Sequence, residues 1–160
     1  GANPADSIAG VSFRHLAMLA QIKSDDNNVW ASLRKSGHLE GAPSDALVGR
    51  LRRMRNWIDG SHFPDGARVE VHTSLSDEAR SNLTDEHRNF LSVLGRALGD
   101  CEWTDDAIGD CIKTTAAKVG IGGRDAYIAL YWAILGKHHG PKASSLIFEM
   151  ERDLCIELIG

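Results

Sequence analysis

The chain has 160 residues, with 18 Lys or Arg against 22 Asp or Glu and a formal net charge of −4. That length suits one domain with a sizeable core, and 42% apolar with 25% charged residues is ordinary for a globular chain. The charge balance argues against a general nucleic-acid binder, no uncharged apolar run reaches the ~18 residues of a membrane span, and the start lacks a secretory pattern. Cys101, Cys111 and Cys155 are odd in number and show no C-x-x-C spacing, so reduced thiols in a cytoplasmic protein are expected. Residues 1–7 read as a linker or tag remnant, followed by one helical domain over 8–160.

Taken in chain order, the expected elements are helical almost throughout. Phe13, Leu16, Ala17 and Ala20 recur at helical spacing, predicting a first helix from about 11 to 23. Asp26-Asn27-Asn28 supplies capping chemistry for a short second helix that Ser36-Gly37 ends. Pro43 before Ser44-Asp45 opens a third, with Leu47, Leu51, Met54 and Ile58 as its buried stripe and Asp59-Gly60 as its stop. Residues 60–75, with Pro64, Asp65-Gly66 and alternating Val69-x-Val71, read as a long loop with room for one extended piece.

Ser76-Asp77-Glu78 caps a fourth helix, with a second cap signal at Thr84-Asp85-Glu86 ahead of Phe90, Val93, Leu94 and Leu98. Thr104-Asp105-Asp106 begins a fifth, and Gly120, Gly122 and Gly123 close it. The sixth, about 124 to 137, is apolar on almost every side and belongs at the centre of its bundle. One or two short helices follow Pro141. The expected fold is all-α, a bundle of seven or eight helices.

Motifs for catalysis are missing: there is no Walker loop, no dinucleotide fingerprint and no nucleophile elbow. His138-His139 lacks the further ligands zinc needs, and Asp105, Asp106 and Asp110 suit the dipole at a helix start better than an acid–base pair. No catalytic and no metal residues are expected.

Two stretches remain. "GRLRRMRNW" puts Arg50, Arg53 and Trp57 on one flank of the third helix, with Arg52 and Arg55 on the other. Guanidinium groups beside an indole suit phosphates and an unstacked base, whereas a solvated face with Trp57 half in the core is the structural alternative. "YWAILGKHHGPK" closes a helix at Gly136, and Pro141 forbids its continuation, with Lys137, His138, His139 and Lys142 around the turn. Those cations fit either an anionic ligand or the helix dipole alone.

"ALYWAILGKHHGPKASSLIFEM" resembles the end of class I lysyl-tRNA synthetases, in a Leu-Tyr pair (Leu130, Tyr131), a Leu-Gly ending (Leu135, Gly136) and a Gly-Pro-basic turn (Gly140, Pro141, Lys142). "VSFRHLAMLAQI", "ALVGRLRRMRNWI" and "AIGDCIKTTAAKVGI" resemble, in the same order, the earlier helices of that family's C-terminal region. The sequence departs from the family at Lys142 (usually Arg), Ser144 (usually Gly), Ser12 (usually Pro) and in a longer 60–75 segment. Glu151 replaces a separating glycine, which leaves the last two helices free to fuse.

The family joins lysine to its tRNA with ATP and Mg on a Rossmann-type catalytic domain. The His-x-Gly-His and Lys-Met-Ser-Lys-Ser signatures of that domain are absent here. The resemblance therefore implies a non-catalytic, cofactor-free anticodon-binding domain like the α-helix cage of the glutamyl enzyme. Its partners would be the lysine anticodon stem-loop and the catalytic domain of the same parent chain, with no membrane. Arg50, Arg53, Trp57, Lys137, His138 and Lys142 are the expected tRNA-binding residues. The alternatives are a glutamyl-type or non-charging relative, a helical protein-interaction module docking through 11–23 or 146–159, and a metal-dependent enzyme.

Overall fold

The computed structural model describes residues 11–160, and the expected linker over residues 1–7 lies outside them. The described residues form α1 (Phe13–Ile22), α2 (Asp26–Lys35), α3 (Asp45–Asp59), α4 (Asp77–Asn82), α5 (Asp85–Asp100), α6 (Asp105–Val119), α7 (Gly123–Leu135), α8 (Ala143–Phe148) and α9 (Arg152–Ile159). One 3₁₀ turn, Asp65–Ala67, follows α3, and the described residues contain no strand. The all-α class is as expected. Among the described residues the helices number nine rather than seven or eight, because the expected fourth helix divides at Leu83-Thr84 and the chain after Pro141 forms two helices.

Hydroxyl and carboxylate caps set most of the helix starts. Ser12, Ser44, Ser76 and Thr104 each accept from the backbone N–H three residues on, and Asp25 accepts from Asn27 N–H. Each such cap contributes about 1 kcal/mol by satisfying an orphan donor. Thr84 goes further: its hydroxyl accepts from His87 N–H at 3.1 Å while His87 Nδ1 accepts from Thr84 N–H at 3.2 Å. That reciprocal box is why α5 starts afresh instead of extending α4.

The chain clusters into two compact units, one ending at Glu70 and the other spanning Val71–Gly160. In the first, α1 packs on α2 and α3. Leu16, Leu19, Val29, Leu33, Leu47 and Leu51 are buried there, whereas Phe13, which shares the helical spacing of Leu16 and Ala20, is exposed. The Val69-x-Val71 piece finds no strand partner. Val69 N–H instead donates to Gln21 Oε1 at 2.7 Å, so a side chain satisfies it.

In the second unit α7 packs against α4, α5, α6, α8 and α9, the central position its all-round apolarity implies. Ala126, Ala129 and Ala133 are buried on α7, and such small side chains let neighbouring helices approach closely. The expected fusion of α8 and α9 does not occur. Glu151 breaks the helix in an extended conformation, φ −68° and ψ 137°, that any residue can adopt, so no glycine is required there.

Candidate nucleic-acid interface

On α3 the four arginines of "GRLRRMRNW" divide by environment. Arg55 is a structural clamp: Nη1 and Nη2 donate to Ala20 O (2.9 Å) and Lys23 O (2.8 Å), and Nε donates to Asp26 Oδ1 at 2.6 Å. It thereby satisfies carbonyls at the end of α1 and holds the first residue of α2. Arg50 is half-buried, and its Nη1 reaches Val11 O at 3.4 Å. Arg52 and Arg53 are exposed and form no ion pair with any described residue.

Trp57 lies one turn beyond Arg53. Its ring meets Phe63 edge-on at 4.7 Å and Phe13 in a tilted contact at 5.5 Å. Phe63 is buried, whereas Trp57 is 38% and Phe13 is 52% exposed. Trp57 therefore seats partly on the core through Phe63 and, with Phe13, leaves aromatic surface exposed. Arg68 adds a guanidinium 5.0 Å from the Phe63 ring centre. Aromatic faces bordered by exposed cations can stack unpaired bases and contact phosphates.

The turn after α7 belongs to the second unit. Gly136 takes φ +69°, and a Cβ there would run into the His72 ring. His72 N–H also donates to Ile134 O at 2.7 Å, so a side chain at 136 has nowhere to go. At Gly140 a Cβ would collide with Leu135 and press on the Tyr131 ring at 3.2 Å. The Tyr131 hydroxyl donates to Pro141 O at 2.6 Å. The Leu-Gly…Gly-Pro element is thus a tightly packed corner, and its shape explains its residues without a ligand.

Of the expected contact residues at this corner, Lys137 is half-buried and His138 is exposed. The His138 ring lies 6.2 Å from that of Trp132 and 5.1 Å from that of His139. Lys142 is exposed, yet its ammonium is 3.3 Å from Asp105 Oδ1. Asp105 also accepts from the Ser144 hydroxyl at 2.5 Å and from the Ser145 hydroxyl. Burial pushes the Asp105 carboxyl up, but the two hydroxyls and the Lys142 ammonium outweigh it and hold the carboxyl below its ordinary value.

Sequence reasoning assigned Asp105 to the helix dipole and missed its second task of tying the start of α8 to α6. It also missed a cleft of about 500 Å³ beside this corner, lined from α6, α7 and the start of α8. The signal was there: Asp106, Asp110 and Lys113 recur at one helical stripe, as do Tyr127 and Tyr131. Arg50, Arg53 and Trp57 share α3 in the first unit, while Lys137, His138 and Lys142 cluster at the corner in the second.

A family model described as "Anticodon binding domain" matches residues 15–158. Similar proteins include the lysine–tRNA ligase of Picrophilus torridus, 24% identical over 147 residues, covering 92% of this chain and 28% of that protein. The lysine–tRNA ligase of Methanopyrus kandleri is 28% identical over 163 residues, covering 93% of this chain and 29% of the relative. That of Archaeoglobus fulgidus is 26% identical over 139 residues, covering 86% and 27%. The chain thus spans less than a third of the length of these relatives. With the family match running through every helix of both units, the chain belongs to the anticodon-binding-domain family.

Proposed function

We propose that this chain is the part of a lysine–tRNA ligase that reads the uridines of the lysine anticodon and holds the tRNA in register. Ligation, with ATP and Mg, would then fall to a catalytic domain elsewhere in the same cytoplasmic parent protein. The observation that carries this is the family match over residues 15–158, together with similarity to lysine–tRNA ligases along more than nine-tenths of the chain.

The geometry is consistent with the chemistry required. Arg53 and its neighbour Arg52 present exposed guanidinium groups for phosphates, and half-buried Arg50 lies one turn before Arg53. Trp57, with Phe13 beside it, offers a surface for a splayed base. At the corner, His138 offers a second exposed ring, and Lys137 and Lys142 supply positive charge. Only the stem-loop has to be held, so the net charge of −4 is no obstacle.

The test is a titration with the lysine anticodon stem-loop, and with a version whose last two uridines are cytidines, at two salt concentrations. Three or four neutralised phosphates would give a log–log salt slope of roughly −2 to −3. A loss of about tenfold or more on changing the uridines is expected, since each wrong base costs roughly 1–3 kcal/mol. Equal affinity for both loops would refute lysine anticodon reading. Binding to neither would favour the protein-interaction alternative.

A further inference from the structure

The cleft of about 500 Å³ in the second unit is within the size range of small-ligand sites, and none of the contacts assigned above fills it. Its walls come from three helices. Asp106, Asp110 and Lys113 form one stripe of α6, Tyr127 and Tyr131 form one stripe of α7, and Lys142 stands at the start of α8. Gly109 of α6 faces Ser144 of α8, and a Cβ there would sit in ordinary contact at 3.6 Å.

We propose that this cleft accepts one uracil base flipped out of its stack and reads its Watson–Crick edge. The proposal rests on the anticodon reading above. Uracil presents an acceptor, a donor and an acceptor in a row (O4, N3–H, O2), so its complement is a carboxylate flanked by two N–H donors. Asp106 and Asp110 are exposed carboxylates with no ion pair to any described residue, and Lys113 and Lys142 are exposed ammonium groups. Lys142 engages Asp105 at 3.3 Å, and an ammonium has three protons, so donors remain for the base.

The same arrangement disfavours cytosine and guanine. Cytosine turns the N3 lone pair toward the carboxylates. Guanine directs a second donor at a lysine ammonium. The ring faces come from the tyrosines. Tyr131 is held by its bond to Pro141 O at 2.6 Å, while Tyr127 is half-buried, and its hydroxyl bonds to no described residue. Carboxylates outnumber ammonium groups in the lining, so a phosphate is disfavoured inside. The base enters and its phosphates stay at the rim.

The decisive variant is Asp106→Asn with Asp110→Asn, assayed by fluorescence anisotropy against the lysine anticodon stem-loop and the loop with its last two uridines changed to cytidines. Removing two negative charges strengthens phosphate attraction for both loops, so the readout is the ratio of the two affinities. The wild-type ratio should be about tenfold or more, falling to about threefold or less in the double variant. Tyr127→Ala should weaken the uridine loop about tenfold, and Tyr127→Phe, which keeps the ring, should not. Both aspartates are exposed, and a circular-dichroism melt checks that the variants fold. A wild-type ratio retained by the double variant overturns the cleft proposal and leaves anticodon reading intact. A ratio near one in the wild-type chain overturns the anticodon reading and the cleft with it.

Discussion

Arg53 and Arg55 are two residues apart on α3, and replacing each with Ala should produce opposite phenotypes. Arg55 makes two hydrogen bonds to backbone carbonyls, at 2.9 and 2.8 Å, and one ion pair at 2.6 Å. A hydrogen bond from a charged group nets about 1.5–3 kcal/mol. The lower end applies here, because carbonyls at a helix terminus can turn to water once the guanidinium is gone. The ion pair adds at most about 0.5 kcal/mol, since the Asp26 side chain is 52% exposed. Arg55→Ala should therefore destabilise the first unit by about 3 kcal/mol. With a urea m-value of roughly 1–3 kcal/mol/M, the midpoint should fall by about 1–3 M.

Arg53 is exposed and has no ion pair among the described residues, so Arg53→Ala should change stability by less than about 0.5 kcal/mol. If it contacts one phosphate, its loss flattens the log–log salt slope for stem-loop binding by about 0.7–0.9. Urea unfolding followed by tryptophan fluorescence, with stem-loop titration at several salt concentrations, measures both effects. An Arg55→Ala midpoint within about 0.3 M of wild type, together with a flattened salt slope, would refute the division of labour.

Gly136→Ala should destabilise the second unit by about 2–4 kcal/mol, since a Cβ at φ +69° costs roughly 1–2 kcal/mol and the displaced His72 ring endangers the bond to Ile134 O. A chemical-denaturation midpoint equal to wild type would contradict it. The lowered Asp105 carboxyl contributes stability that is complete above its ordinary value of 3.8 and is lost as pH falls through the lower folded-state value. Asp105→Asn should accordingly be less stable at pH 7 and lose less stability on acidification; parallel acid limbs in the two proteins would argue against this. Burial pushes the Cys155 thiol up to about 12, so at pH 8 it should resist alkylation until the chain unfolds, while the partly exposed Cys101 reacts first. Peptide mapping after a short iodoacetamide pulse decides the order, and equal labelling would refute it.

The elements legible in the sequence are those fixed by neighbours in the chain. Caps at Ser44, Ser76, Thr84 and Thr104 act within three residues, and Leu47, Leu51 and Met54 of the expected α3 stripe are buried, whereas Ile58 at its end is only half-buried. Contacts between distant residues were not legible. Arg55 differs from Arg53 only because carbonyls 35 and 32 residues earlier arrive beside it. The Asp105 carboxyl is held below its ordinary pKa with the help of hydroxyls 39 and 40 residues later. No local pattern carries that information.

The corner after α7 shows a different gap between recognition and role. Its residues carry the family resemblance most clearly, yet Gly136, Gly140, Tyr131 and Pro141 are all accounted for by packing and hydrogen bonding inside the corner. Under the proposed function, contacts of the corner with RNA would come from the groups it leaves around it: the exposed His138 ring and the donors remaining on Lys142. Its position also makes it a wall of the cleft, because the same turn that ends at Lys142 sets where α8 starts beside α6. A substitution that loosens the corner, such as Gly140→Val, should therefore impair stem-loop recognition without touching a contact residue. Its effect on the uridine-to-cytidine ratio should exceed its effect on the salt slope, because the arginines proposed to contact phosphates lie on α3, in the first unit.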